Sequence, residues 1–184
     1  MKKILITGNP NEGLAKGLAS VFPNANFVSR AEGCDLETRA NMEAVAKKAI
    51  EHDVFINNSA LWHFRQTLLL ELVWKLAETA GKQLHIVCIG STTDRATKGS
   101  SWIYQQEKKA LRSYCNQLSL QSVWSDKPVP RVNLISFGTL ENNEDKHPGR
   151  KCMSIHDASS YVKWIVEAPS NVNINEISID RIQR

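Results

Sequence analysis

The run Ile4-Leu5-Ile6-Thr7-Gly8-Asn9-Pro10-Asn11-Glu12-Gly13-Leu14-Ala15 passes from a short apolar strand through a glycine turn into a helix. Leu14, Leu18, Val21 and Phe22 then recur at helical spacing. Strand, glycine turn, helix is the context in which a glycine motif carries meaning. Glycines let the backbone approach a pyrophosphate, and the helix N-terminus offers partially positive N–H groups. The bland alternative is a plain strand-to-helix turn. The rest of the chain decides between them.

Working outward, apolar strands alternate with amphipathic helices along the whole length. Asn26-Phe27-Val28 is a second short strand. Residues 37–52 carry a stripe of Met42, Val45, Ala46, Ala49 and Ile50. Asp53-Val54-Phe55-Ile56 is the next strand, followed by a leucine-rich helix over 64–80 with Leu68, Leu69, Leu72, Val73 and Leu76. Leu84 to Ile89 is strand-like, and Arg131 to Ile135 is another strand after Pro128 and Pro130. Ser154-x-x-Asp157 starts a last helix with an apolar stripe of Ala158, Tyr161, Val162 and Ile165. Val172 to Ile179 alternates as a half-buried edge strand. The pattern predicts an α/β class with a doubly wound parallel sheet, in one Rossmann-like domain over residues 1–184. Only Ala31 to Cys34 lie between Arg30 and Asp35, so the second crossover is expected to be abbreviated.

Composition bounds the function. The net charge is +4, and Lys and Arg are scattered with no run longer than two. This argues against a nucleic-acid partner. No apolar run approaches the roughly 20 residues that span a bilayer, and the N-terminus turns too soon into strand and glycine turn to act as a signal peptide. Cys34, Cys88, Cys115 and Cys152 are widely spaced. They read as buried thiols of a cytoplasmic protein, with no metal site.

The chemistry-bearing stretch runs from Ser91 to Lys108. Ser91 ends a strand; Tyr104 opens a helix, and Lys108 follows four residues on, on the same face. A strand-end Ser beside a Tyr backed by a Lys is a proton-donating arrangement. The Lys108 ammonium is expected to lower the pKa of Tyr104 from its usual value of about 10. Ser91 is expected to hold a substrate oxygen.

Taken together, these motifs resemble the short-chain dehydrogenase/reductase superfamily. That family carries Ser, then Tyr-x-x-x-Lys at this separation. Thr7-Gly8 to Ala15 resembles its Thr-Gly-x-x-x-Gly-x-Gly turn, with one extra residue before Gly13 and Ala15 in place of the third glycine. Asn57-Asn58-Ser59-Ala60 resembles its Asn-Asn-Ala-Gly turn. Arg131-Val-Asn133-Leu-Ile135-Ser-Phe137-Gly138 resembles its Arg-Val-Asn-x-Ile-x-Pro-Gly run, with Phe137 where Pro is usual.

The resemblance implies an NADP(H)-dependent oxidoreductase that interconverts a carbonyl and an alcohol. Tyr104 would be the proton donor, Lys108 would hold the nicotinamide ribose, and Ser91 would bind the substrate oxygen. The implied cofactor site is Gly8, Asn9, Asn11, Gly13, Leu14, Ser29, Arg30, Asp35, Leu36, Asn58, Ser59, Ala60, Gly138 and Leu140. Arg30 follows the second strand, where an acid would bind the ribose of NAD and an Arg would pair with the 2′-phosphate of NADP. The family's relay Asn is missing between Ala60 and Ser91; Gln66 or His63 could stand in. A substrate pocket is expected from 62–64, 92–102 (with Lys98) and 139–152. The Glu141–Arg150 lid is short. The resemblance also implies a homodimer or homotetramer through the helices flanking Ser91. The alternative reading is a non-catalytic NADP(H)-binding sensor or scaffold module. Against it stands the intact Ser91, Tyr104, Lys108 set.

Overall fold

The computed structural model describes residues 2–60, 62–97 and 101–184. Six strands form one parallel sheet in the order β2-β1-β3-β4-β5-β6. They are β1 (Ile4–Thr7), β2 (Asn26–Val28), β3 (Val54–Asn57), β4 (His85–Ser91), β5 (Arg131–Phe137) and β6 (Glu176–Ile179). Every pairing is parallel, with Ile6 beside both Phe27 and Ile56, and Ile89 beside Ile135. The five α-helices are α1 (Gly13–Val21), α2 (Arg39–Ala49), α3 (Arg65–Thr79), α4 (Ile103–Trp124) and α5 (Ile155–Glu167).

The sheet is parallel because both its faces are apolar. Along each strand alternate residues point to opposite sides. Leu5, Phe55, Ile86, Cys88 and Leu134 pack with Met42, Val45, Leu69, Val73, Leu111 and Cys115 from α2, α3 and α4. Ile6, Ile56, Val87, Ile89 and Ile135 pack with Leu14, Leu18, Ala158, Val162 and Ile165 from α1 and α5. Strands covered on both faces read as unbroken apolar runs, which is what the sequence shows. Two helices on one face and three on the other make the double winding.

β2 stands at the sheet edge, next to β1, and a 3-10 turn (Arg30–Glu32) leads directly toward α2. Among the described residues no strand lies beyond β2, so the abbreviated crossover is found as expected. The chain leaves β1 toward β2 on one side, whereas β3 lies on its other side. That reversal opens a crevice above the C-terminal ends of β1 and β3, the place where open α/β sheets bind ligands.

Three details differ from the sequence expectation. Cys88 and Cys115 are buried, but Cys34 and Cys152 are only half-buried, because they lie in loops. Leu68 and Tyr161 are exposed; their neighbours Leu69, Leu70 and Val162 take the inward positions. β6 begins only at Glu176; just before it the Ile174 main-chain carbonyl accepts from the Asn133 side-chain amide at 2.7 Å, and the Asn173 side chain is held by Ser119 and Asn133. No helix among the described residues is long and apolar enough to cross a membrane.

Candidate active site

A cleft of about 1200 Å³ runs along the C-terminal ends of the strands. Its floor at one end is the β1–α1 turn. Gly8 has φ +136°, and a Cβ there would strike the Asn58 amide nitrogen at 2.7 Å and the Ala15 methyl at 3.0 Å. Glycine is therefore required by both backbone and space. Asn58 fills that space because its amide donates to the Thr7 carbonyl (2.9 Å), while the Asn58 and Ser59 N–H groups donate to Thr7 Oγ1 at 2.9 and 3.0 Å. The two sequence motifs are thus one hydrogen-bonded unit across β1 and β3.

The first turn of α1 carries no acid, and Glu12 makes no side-chain cap to it. Gly13, Leu14 and Ala15, which open α1, line the same cleft as Gly8 and Asn9, and the first N–H groups of a helix have no partner within it. Of the residues expected there, Gly8, Asn9, Gly13, Leu14, Ser29, Arg30, Asp35, Leu36, Asn58, Ser59, Ala60, Gly138 and Leu140 all line the cleft. Asn11 does not: its backbone N–H turns back to Asn9 Oδ1 (3.1 Å), so the extra residue bulges outward. Arg30 is exposed at the end of β2 and has no ion-pair partner among the described residues.

At the other end stand Ser91, Tyr104 and Lys108. Gly90 sits beside Ser91 because a Cβ would collide with the Ser136 hydroxyl from β5. Ser136 Oγ in turn donates to the buried Asp94 carboxylate at 2.9 Å, and Arg95 holds its other oxygen at 2.6 Å. This anchors the turn after Ser91. Tyr104 is hydrogen-bonded to Ser91. Lys108 Nζ lies 5.4 Å from the Tyr104 ring centroid.

Lys108 is fully surrounded. Its ammonium donates to Gln66 Oε1 at 2.7 Å and to the Ile89 carbonyl at 3.1 Å. Gln66, buried in the first turn of α3, donates from Nε2 to the carbonyls of Asn57 (2.8 Å) and Ile89 (3.0 Å). Asn57 returns a bond to the Gln66 carbonyl at 2.9 Å. Gln66 rather than the exposed His63 therefore faces Lys108. The Asn57 Oδ1 oxygen is buried with no partner.

Burial pulls the Lys108 ammonium down to about 8, against smaller upward pulls from Cys88, Cys115, Glu107 and Asp94. The expectation that Lys108 lowers Tyr104 is corrected. Burial pushes the Tyr104 phenol above its ordinary value; the Ser91 hydrogen bond opposes this, and the Glu107 and Asp94 carboxylates add to the rise. The reason is direction. The ammonium is committed to Gln66 and a main-chain carbonyl, and the phenol sits under hydrophobic cover.

That cover was missed in the sequence. Trp102 stacks on Tyr104 at 4.7 Å between centroids, and Trp62 meets it edge-on at 6.1 Å. The Glu107 carboxylate, buried on α4, accepts from the Phe64 N–H at 3.2 Å and ties the Trp62 loop down. The Trp62–Tyr104 contact and the Phe64–Glu107 bond join residues some forty positions apart and leave no local signal. Trp62, Thr92, Thr93, Trp102, Thr139, Leu140 and Arg150 line the cleft as expected. Lys98 lies outside the described residues. The segment over 141–146 is a 3-10 turn whose Asn142 reaches Gly13. Among the described residues no group of three or more His, Cys, Asp or Glu is placed to hold a metal ion.

No protein-family model and no curated protein sequence matches the chain. Solved structures do match it in fold. ElxO with NADP bound superposes with a TM-score of 0.74 at 16% identity, covering 98% of each chain. Serine dehydrogenase from Escherichia coli gives 0.71 at 18% identity over 96% of each chain. The 3-ketoacyl-(acyl-carrier-protein) reductase from Brucella melitensis, complexed with NADH, gives 0.72 at 15% identity over 97% of this chain and 96% of its own. The chain has the single-domain, Rossmann-like fold of the short-chain dehydrogenases over nearly its full length.

Proposed function

We propose that the chain is a short, divergent short-chain dehydrogenase/reductase that interconverts a carbonyl and an alcohol with NADP(H). The observation that carries this reading is the convergence of Ser91, Tyr104 and Lys108 on one wall of a cleft whose other end is the Gly8–Gly13 turn. The residues fit a dinucleotide: Gly8 keeps the turn free of side chains, and the uncapped start of α1 suits a pyrophosphate. Arg30 suits the 2′-phosphate, while Asp35 and Leu36 would flank the adenine. Asn58, Ser59 and Ala60 would lie under the ribose, with Gly138 and Leu140 against the nicotinamide.

When bound, the reduced nicotinamide supplies a hydride to the carbonyl carbon. Ser91 and Tyr104 hold the carbonyl oxygen, and Tyr104 gives it the proton that completes the alcohol. A phenol held above its ordinary pKa stays protonated at neutral pH, which suits reduction. Lys108, held by Gln66, keeps a positive charge behind the phenol and offers its remaining proton to the ribose. General acid catalysis of this kind contributes about 10²–10⁴-fold.

Four unpaired thiols suit a cytoplasmic setting. Exposed Leu68 on α3, with Leu120, Val123 and Trp124 on α4, supports a homodimer or homotetramer through these helices. The test is thermal melting with NADPH and with NADH, followed by NADPH consumption by wild type and Tyr104→Phe. A ligand at 100 times its Kd adds about 2.7 kcal/mol. Stabilisation by NADPH with turnover lost in Tyr104→Phe is the expected result. Stabilisation without turnover in wild type would favour a binding module, and no stabilisation by either nucleotide would sink both.

A further inference from the structure

Resting on the proposed reduction, we infer that the substrate is an aryl carbonyl, an aldehyde or ketone carrying its carbonyl on a flat ring, and that Trp62 and Trp102 select it. The two indoles reach Tyr104 from separate loops, before α3 and before α4, and flank the hydroxyl-bearing ring from two directions. Both remain about half exposed, 51% for Trp62 and 53% for Trp102, although both line the cleft beside Ser91. Aromatic surface left open at a cleft wall is surface available to a ligand. Rings prefer offset or edge contacts with centroids 4.5–7 Å apart, so a flat ring gains more from two indoles than a saturated ring of the same size.

The loop that delivers Trp62 is held against its own preference. His63 and Phe64 have φ of 60° and 58°, the left-handed region that non-glycine residues avoid. Two successive residues in that state persist only where the surroundings fix them, and such strain collects at functional sites. Here the fixing group is the buried Glu107 carboxylate on the Phe64 N–H. Glu107 lies on the Tyr104 helix, so loop and proton donor are positioned by one element. Beneath the indole, a side cavity of about 140 Å³ between Trp62, Phe64, Thr67 and Tyr104 has room for a ring substituent.

The chemistry balances with what the proposed function already names. The carbonyl carbon gains a hydride from NADPH, its oxygen gains the Tyr104 proton, an aryl alcohol and NADP⁺ leave, and the Tyr104 phenolate takes a proton back from water.

Binding is separated from turnover by using Tyr104→Phe protein saturated with NADPH. Calorimetric titration compares naphthaldehyde with its saturated-ring counterpart, in that background and with Trp62→Ala, Trp102→Ala or Trp124→Ala added. Trp124 is exposed at the far end of α4 and serves as control. The flat aldehyde should bind about tenfold more tightly than the saturated one. That ratio should fall toward one with Trp62→Ala and with Trp102→Ala, and stay put with Trp124→Ala. Equal binding of the two aldehydes, or a ratio indifferent to both cleft tryptophans, overturns the inference. NADPH consumption by Tyr104-intact protein is read separately. Ring-selective binding without turnover would overturn the reduction and leave the aromatic site standing.

Discussion

Gln66 Oε1 accepts a hydrogen bond from Lys108 Nζ at 2.7 Å, across the space between α3 and α4. Gln66 touches neither cleft end; it acts through the lysine and through the Asn57 and Ile89 carbonyls. Under the proposed function it is a positioning residue. Replacing it with Leu removes a hydrogen bond to a charged group, worth about 1.5–3 kcal/mol. Under the proposed function kcat should fall about tenfold to hundredfold. The lysine should also lose its proton at lower pH, so the alkaline limb of the rate profile should move toward neutrality. Gln66→Asn should recover less than half of the loss on a logarithmic scale, because its side chain is one methylene short. An unmoved alkaline limb in Gln66→Leu would show that Gln66 only packs the helix.

Lys108 sets a second pH dependence. Its folded pKa is about 8, below the unfolded value of about 10.4. Below pH 8 both states are protonated, and the full penalty for burying the charge is carried. Between pH 8 and 10.4 the unfolded state binds more protons, so this group makes stability rise with pH. Under the proposed function, carbonyl reduction should do the opposite and fall through pH 8 as the charge behind Tyr104 disappears. Urea midpoints for wild type and Lys108→Met between about pH 7 and 10, beside a pH–rate profile, check both signs. A wild-type midpoint that tracks the variant across that window would refute the shifted lysine.

The sequence carried the sheet because a parallel strand covered on both faces has to be apolar at nearly every position. Ile4 to Ile6, Val54 to Ile56 and Leu84 to Ile89 met that demand and were readable. The glycine turn was readable because Gly8 has no steric alternative beside Asn58. The edge strand was overread at Val172, since alternation alone does not reveal that Asn173 and Asn175 are engaged with Ser119 and Asn133. Gln66 was one of two candidates by elimination; burial chose between them. Electrostatic direction was not readable. Spacing put Lys108 on the Tyr104 face, but only packing shows that the ammonium is desolvated and the phenol covered. The cover by Trp62, and its anchoring through Glu107, arises from contacts between the loop before α3 and α4, which no periodicity encodes.

Glu176 predicts behaviour in acid. Arg112 grips it with Nε and Nη2 at 2.9 and 2.8 Å, and Asn116 adds a bond at 3.0 Å. The guanidinium bond is the largest influence and holds the carboxyl down at about 2, against the opposing effect of burial. A depressed carboxyl contributes stability that is present above its unfolded value of about 4.3 and lost as pH falls toward 2. The pair pins β6 to α4. Glu176→Gln should cost about 1 kcal/mol near neutrality, allowing for its partial exposure. The variant's loss of stability on acidification should be shallower than that of wild type over this range. Parallel acid limbs for the two proteins would rule out Glu176 as a source of the slope.

Under the proposed function, Arg30 decides the nucleotide. It lines the cleft just after β2, and the turn that follows is closed by bonds from the Glu32 and Cys34 N–H groups to the Ser29 carbonyl. A guanidinium on a phosphate is a charge-assisted contact, and an exposed one is screened by salt. Arg30→Ala should weaken NADPH binding about 10–100-fold at low salt and leave NADH binding nearly unchanged. The gap between wild type and variant should narrow as ionic strength rises. Fluorescence titration of each nucleotide at low and at high salt measures this. Equal losses for NADPH and NADH would mean that Arg30 supports the turn itself and does not read the 2′-phosphate.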